Sequence, residues 1–194
     1  MSELNDSWQT PQWLFDELDK EFNFDIDLCA NAENSKCDRF YSDYLTNRIH
    51  RKGDHSGDAT GYYWSLEGHN NPLSCDKIHC AFMNPPYSRP TKTNPGINAF
   101  IEKAWEDSKH CKIVCLVKCD PSTKWWATFW NYEPVKKLHD QYEIYTIENR
   151  GPKSGCEVRF LPKRIRFEAP PGLDGQSGPT FPSCIVIMDR RNIL

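Results

Sequence analysis

Apolar residues recur at helical spacing in two stretches. Phe15, Leu18 and Phe22, with Leu14 beside them, predict an amphipathic helix over about 11–21. Thr10 as N-cap and Pro11 at the first helical position supply its start signal. Ile97, Phe100, Ile101, Ala104 and Trp105 predict a second, clearer helix. Between them the apolar runs are short and dense. Residues 78–83 and 113–117 read as buried parallel strands, and the alternating 24–28 reads as a short strand closed by a turn at 29–31. Pro121 opens a Trp-rich helix carrying Trp125, Trp126 and Trp130. Beyond it the pattern becomes strand-like at 143–147, 156–160, 164–168 and 183–188. Only Leu161-Pro162-Lys163 separates 156–160 from 164–168, which suggests a hairpin. Strand–helix alternation first and strands later predict an α/β fold: a mostly parallel sheet with an antiparallel edge.

From 44 to about 76 the pattern dissolves. Gly, Asn, Asp, Ser and His dominate, with Tyr62, Tyr63, Trp64 and Leu66 as isolated apolar islands. A chain of 194 residues suits one domain spanning 1–194, with this loop-rich stretch as an insertion. Hydrophobic residues at 38% and charged residues at 26% exclude a disordered chain.

Net charge is −3, so nucleic-acid binding has no support from a whole-chain basic bias. The distribution is uneven, however. The first 30 residues run acidic, while 150–166 carries Arg150, Lys153, Arg159, Lys163, Arg164 and Arg166 against Glu157. Such a run is either a solvated strand face or a phosphate-contacting surface. The nine Cys include no Cys-x-x-Cys pair, and no His is placed to complete a zinc site. They read as reduced thiols in an intracellular, cytoplasmic protein, and no metal is expected. No signal peptide and no membrane-length apolar run is present.

The chemistry concentrates at Asn84-Pro85-Pro86-Tyr87, which follows the predicted strand at 78–83. Ligands bind at the carboxyl ends of strands in open α/β sheets. Consecutive prolines stiffen the loop and remove backbone donors, so its carbonyls are free to accept. An amino group attached to an aromatic ring is a poor nucleophile because its lone pair is delocalised. Acceptors such as the Asn84 side-chain oxygen and the Pro85 carbonyl pull the nitrogen toward a tetrahedral, nucleophilic form. Tyr87 can stack on a base turned out of the duplex. Arg89 and Lys92 follow at once and suit backbone phosphates, their plain alternative being loop surface.

These pieces resemble the phage-type DNA N6-adenine methyltransferases of the Dam kind. The matching residues run in order: Trp8-Gln9-Thr10-Pro11, then 24–34 (FDIDLCANAEN), Asn84-Pro85-Pro86-Tyr87-Ser88, Ala104, Pro121-Ser122-Thr123-Lys124-Trp125-Trp126, Lys163-Arg164-Ile165-Arg166-Phe167 and Phe181-Pro182-Ser183. The stretch 44–76 matches poorly.

The resemblance implies a class I, Rossmann-like fold binding S-adenosyl-L-methionine across the strand ends. It places Thr10 and Pro11 near the methionine carboxylate, at a helix N-terminus. Asp27 falls near the methionine ammonium, and Cys29 and Ala30 under the cofactor. Trp8 joins this group, its alternative being a hydrophobic staple. The Gly-rich turn of many methyltransferases is missing, since no Gly precedes Gly53. The ribose carboxylate is expected at the end of the second strand, where Asp43 is the candidate and a turn residue is the alternative. Asp58 is a weaker candidate for the cofactor's adenine. Lys163, Arg164 and Arg166 are the expected DNA phosphate contacts, and Trp125 and Trp126 are core rather than base-stacking.

The expected activity is adenine N6 methylation of double-stranded DNA, with GATC as the site the family suggests, in a phage or restriction–modification setting. Cytosine N4, RNA adenine and protein glutamine are competing substrates for the same motif, and a catalytically silent DNA-binding module is the competing class.

Overall fold

The structure is a computed structural model. It describes residues 8–43, 48–51, 78–87, 96–131, 133–139, 142–146, 151–170, 178 and 180–193; for 42–43, 48–51, 133–139 and 142–146 only the backbone is described. The elements in chain order are α1 (Gln12–Phe22), β1 (Ile26–Asp27), β2 (Arg39–Asp43), β3 (Arg48–Arg51), β4 (Cys80–Met83), α2 (Ile97–Asp107), β5 (Lys112–Lys118), a 3-10 helix (Lys124–Thr128), β6 (Glu133–His139), β7 (Tyr142–Thr146), β8 (Cys156–Phe160) and β9 (Ser183–Met188).

Seven strands form one sheet in the order β3-β2-β1-β4-β5-β9-β8, and β6 and β7 form a separate two-stranded ribbon. The centre is parallel: β2, β1, β4 and β5 run the same way. The flanks are antiparallel, with β3 against β2, β9 against β5 and β8 against β9. This is the mixed α/β architecture that the pattern predicts.

Both faces of the sheet are covered, which explains why its strands read as continuous apolar runs. Successive side chains of a strand point to opposite faces. Ala81, Met83, Ile113, Cys115 and Val117 therefore face one core with Ile101 and Ala104 of α2 and with Trp125, Trp126 and Phe129. Cys80, Phe82, Val114 and Leu116 face the other, with Leu14, Phe15 and Leu18 of α1 and with Ile165 and Phe167. Cys111, Cys115 and Cys119 share the first face, as their spacing requires. The eight cysteines among the described residues are all free thiols.

Several local expectations are corrected. Thr10 is not a capping residue: α1 is preceded by Pro11 at φ −57°, ψ 135°, with no side-chain cap from that residue. The strand expected over 24–28 shrinks to Ile26–Asp27, because Phe24 is drawn to α1 through its amide, which donates to Asp19 Oδ1 at 2.8 Å. The Trp-rich helix is a five-residue 3-10 turn. Its aromatic rings interlock, with Trp126–Phe129 centroids at 5.0 Å and Trp126–Trp130 at 5.8 Å, so burial rather than helix length fixes it.

The hairpin between 156–160 and 164–168 does not form. β8 pairs instead with β9, from Cys156↔Met188 to Phe160↔Cys184. Residues 164–168 stay extended but cross to the α1 face, where Ile165 and Phe167 bury their side chains. Glu168 there makes an isolated bridge with Gln9. Joining the core removes more apolar surface from water than an exposed hairpin would.

Candidate active site

The strand order reverses between β1 and β4, because β1 leads to β2 on one side while β4 and β5 extend the other. Such a switch point opens a crevice beyond the carboxyl ends of the two strands. β1 ends at Asp27, and β4 ends at Met83 with Asn84 next. The pairing Asp27↔Phe82 and the bond from Leu28 N–H to Phe82 C=O (2.8 Å) hold these ends side by side. Residues 57 positions apart in sequence, Asp27 and Asn84 (84 minus 27), thus meet at one crevice.

On the β4 side Pro85 is buried, and Asn84, Pro86 and Tyr87 are half-buried. Asn84 Oδ1 is buried and has no hydrogen-bond partner among the described residues. An orphaned buried acceptor is rare and costs about 1–3 kcal/mol. Tyr87 is held from both ends. Its hydroxyl donates to the Leu116 carbonyl of β5 at 3.1 Å, and its ring lies 5.2 Å from Phe181 at a 58° tilt. Phe181 in turn meets Phe167 at 5.5 Å. Burial pushes the Tyr87 hydroxyl well above its ordinary pKa, so it remains a neutral donor.

On the β1 side the carboxylate of Asp27 is buried and organises the turn that follows. Oδ1 accepts from Cys29 N–H and Oδ2 from Lys36 N–H, each at 3.2 Å. Ala30 N–H donates to Tyr41 C=O of β2 at 3.2 Å. Cys29 is half-buried beside Asp27, and desolvation, then the Asp27 charge, raise its thiol pKa strongly. Asp43 is the last residue of β2, after an irregularity in the pairing with β3.

Thr10 and Pro11 are buried at the head of α1. The first amide of that helix, Gln12 N–H, donates to Glu168 Oε1 at 2.8 Å, so one of its orphan donors is satisfied from within the chain. Trp8 is half-buried in the α1-side core. A Cβ on Gly178 would lie 2.9 Å from the Trp8 ring, so that residue must be glycine for the ring to pack.

The basic residues separate. Lys163, Arg164 and Arg166 are exposed and form no ion pair among the described residues. Arg159 is engaged by Glu21 of α1 (2.7 and 2.8 Å) and by Glu157 (2.6 Å), while Lys153 lies over the Trp105 ring at 5.6 Å. The run 150–166 is therefore not one continuous basic face. Arg89, Lys92 and Asp58 lie outside the described residues.

Sequence reasoning missed Lys36, Glu168, Leu116 and Phe181 as neighbours of the site. No local signal marks the first three. Phe181 stands in a matched Phe-Pro-Ser triplet, which is the one hint available.

The family model described as DNA N-6-adenine-methyltransferase (Dam) matches residues 1–64 and 63–136. The chain belongs to this family. Both halves of the crevice, Asp27 and Asn84, lie inside the matched stretches. A protein named DNA N-6-adenine-methyltransferase from Escherichia phage T1 is 30% identical over 126 residues, covering 64% of this chain and 40% of the relative. One of the same name from Haemophilus phage HP1 is 30% identical over 125 residues, covering 62% and 54%. The match thus spans about half of these relatives' length or less. No solved structure matches the chain. Among the described residues no helix is long and apolar enough to cross a membrane.

Proposed function

We propose that this Dam-family chain transfers a methyl group from S-adenosyl-L-methionine to N6 of adenine in double-stranded DNA. The observation that carries the reading is Asn84 Oδ1: a buried acceptor, without a partner among the described residues, at the switch point beside Asp27. An amino hydrogen of the substrate is the complement it lacks. Asn84 and the Pro85 carbonyl accept from the N6 amino group and draw its lone pair out of the ring. Tyr87, anchored through Leu116 and Phe181, presents its ring to the extruded base.

S-adenosyl-L-methionine, when bound, would supply a methyl carbon on a positively charged sulfur, which would leave with the C–S electron pair as the amino nitrogen takes the methyl. The proton released from the nitrogen goes to water; the Asn84 and Pro85 oxygens accept hydrogen bonds from the amino group but are too weakly basic to take the proton. Asp27 fits the ammonium end of this cofactor, with Trp8, Thr10, Pro11, Cys29 and Ala30 around it and Asp43 toward the ribose. Lys163, Arg164 and Arg166 remain free to meet phosphates, and Arg89 and Lys92 are assigned there by their position after the motif. The setting is the cytoplasm of a bacterial or phage-infected cell.

The test is methyl transfer to duplex DNA that contains GATC, followed by digestion to nucleosides and mass spectrometry. N6-methyldeoxyadenosine is the expected product. N4-methyldeoxycytidine, or label found only in RNA or in glutamine, would replace the substrate assignment. No transfer to any of these would leave a DNA-binding module.

A further inference from the structure

Lys36 has no part in the chemistry above, yet its position is unusual. It lies in the turn after β1, and its side chain is only 8% exposed. Its ammonium donates to Glu168 Oε2 and to Gln12 Oε1, each at 3.2 Å. An ammonium carries three donors, so one finds no acceptor among the described residues. Its backbone N–H donates to Asp27 Oδ2 at 3.2 Å. A single residue therefore joins the acid at the end of β1, through its backbone, to the head of α1, through its ammonium. Burying an ammonium is costly unless it is paired. Glu168 supplies a counter-ion, but that carboxylate is 44% exposed and also receives the first amide of α1.

The amino-acid end of S-adenosyl-L-methionine is a zwitterion, with its ammonium and carboxylate on one carbon. A site that takes the ammonium at Asp27 needs a cationic donor within a few ångströms for the carboxylate. We propose that Lys36 is that donor, with Glu168 and Gln12 holding its ammonium in place. The inference rests on the placement of the cofactor's amino-acid end at Asp27. It commits to a small carboxylate, because a side chain only 8% exposed does not extend to a DNA backbone.

The test compares two ligands on the full chain by isothermal titration: S-adenosyl-L-methionine and its decarboxylated analogue, which lacks only the carboxylate. Losing one charge-assisted contact in Lys36→Met weakens the carboxylated ligand about 10- to 100-fold. Binding of the decarboxylated analogue stays at its wild-type value. Lys36→Gln, which keeps a donor without the charge, gives the same ligand-selective loss, and Lys36→Arg restores most of the affinity. Equal weakening of both ligands would reduce Lys36 to a structural role and overturn the inference alone. Wild-type protein that binds neither ligand would overturn the cofactor reading, and the inference with it.

Discussion

Asn84→Ala is expected to move stability and catalysis in different directions. Asn84 Oδ1 is buried without a partner among the described residues. In the free protein that oxygen is a burden of about 1–3 kcal/mol, relieved when the side chain is cut back to Cβ. The lost packing of one small, half-buried side chain offsets this by roughly 1 kcal/mol. The net change in folding free energy is therefore close to zero or slightly favourable. That net is about 0–2 kcal/mol, so for a domain of this size the melting temperature should rise by anything from nothing to about 4–8 °C. In the proposed reaction the same oxygen receives, in the transition state, the amino group whose lone pair is being released. Removing one preorganised partner of this kind costs about 2.7–4 kcal/mol, or 10²- to 10³-fold in kcat. Thermal unfolding and single-turnover methyl transfer at saturating cofactor measure the two quantities on one sample. A variant that melts some 5 °C or more below wild type and loses activity in proportion would mean that Asn84 holds the loop rather than the substrate. Near-normal turnover would remove it from the chemistry.

Trp126, 1% exposed and interlocked with Phe129 and Trp130, should cost about 3–5 kcal/mol as Trp126→Ala, read as a melting temperature lower by roughly 10 °C; a loss below about 1 kcal/mol would contradict its place in the core. Burial pushes the thiols of Cys80, Cys111 and Cys156 up to about 12. At pH 8 only about one thiol in ten thousand at each site is then the reactive thiolate. Iodoacetamide should label them only after unfolding, and fast native alkylation seen by peptide mass spectrometry would refute this. Lys118, then Ser122, hold the Asp120 carboxyl below the usual carboxylate range. A depressed carboxyl stabilises above its unfolded value near 3.9 and loses that contribution as pH falls through its folded value. Asp120→Asn should therefore destabilise at neutral pH, by under about 1 kcal/mol because Lys118 is solvent-accessible, and match wild type once the pH has fallen below the carboxyl's lowered folded value. A gap that widens in acid would reverse the assignment.

How much was legible in the sequence follows from what each feature depends on. β4, β5 and β9 could be read because burial on both faces writes an unbroken apolar run into the chain. α1 and α2 could be read because a one-sided helix writes a period. Asn-Pro-Pro-Tyr after a strand is a local signal, whereas Asp27 comes forward only through the resemblance; the topology sets the two at neighbouring strand ends. The features that escaped depend on distant partners. Residues 164–168 alternate like any strand, and nothing local says that Ile165 and Phe167 will choose the α1 core over β8. Glu168 caps a helix 156 positions away and pairs with Lys36 at a distance of 132. Neither Lys nor Glu carries a distinguishing neighbour in sequence. A pattern can announce a residue whose chemistry is unusual, but not one whose chemistry is ordinary and whose position alone is unusual. Lys36 belongs to the second kind. The motif at Asn84 carries the proposed reaction, and the contacts of Lys36 with Asp27 and Glu168 carry the proposed grip on a zwitterionic cofactor end.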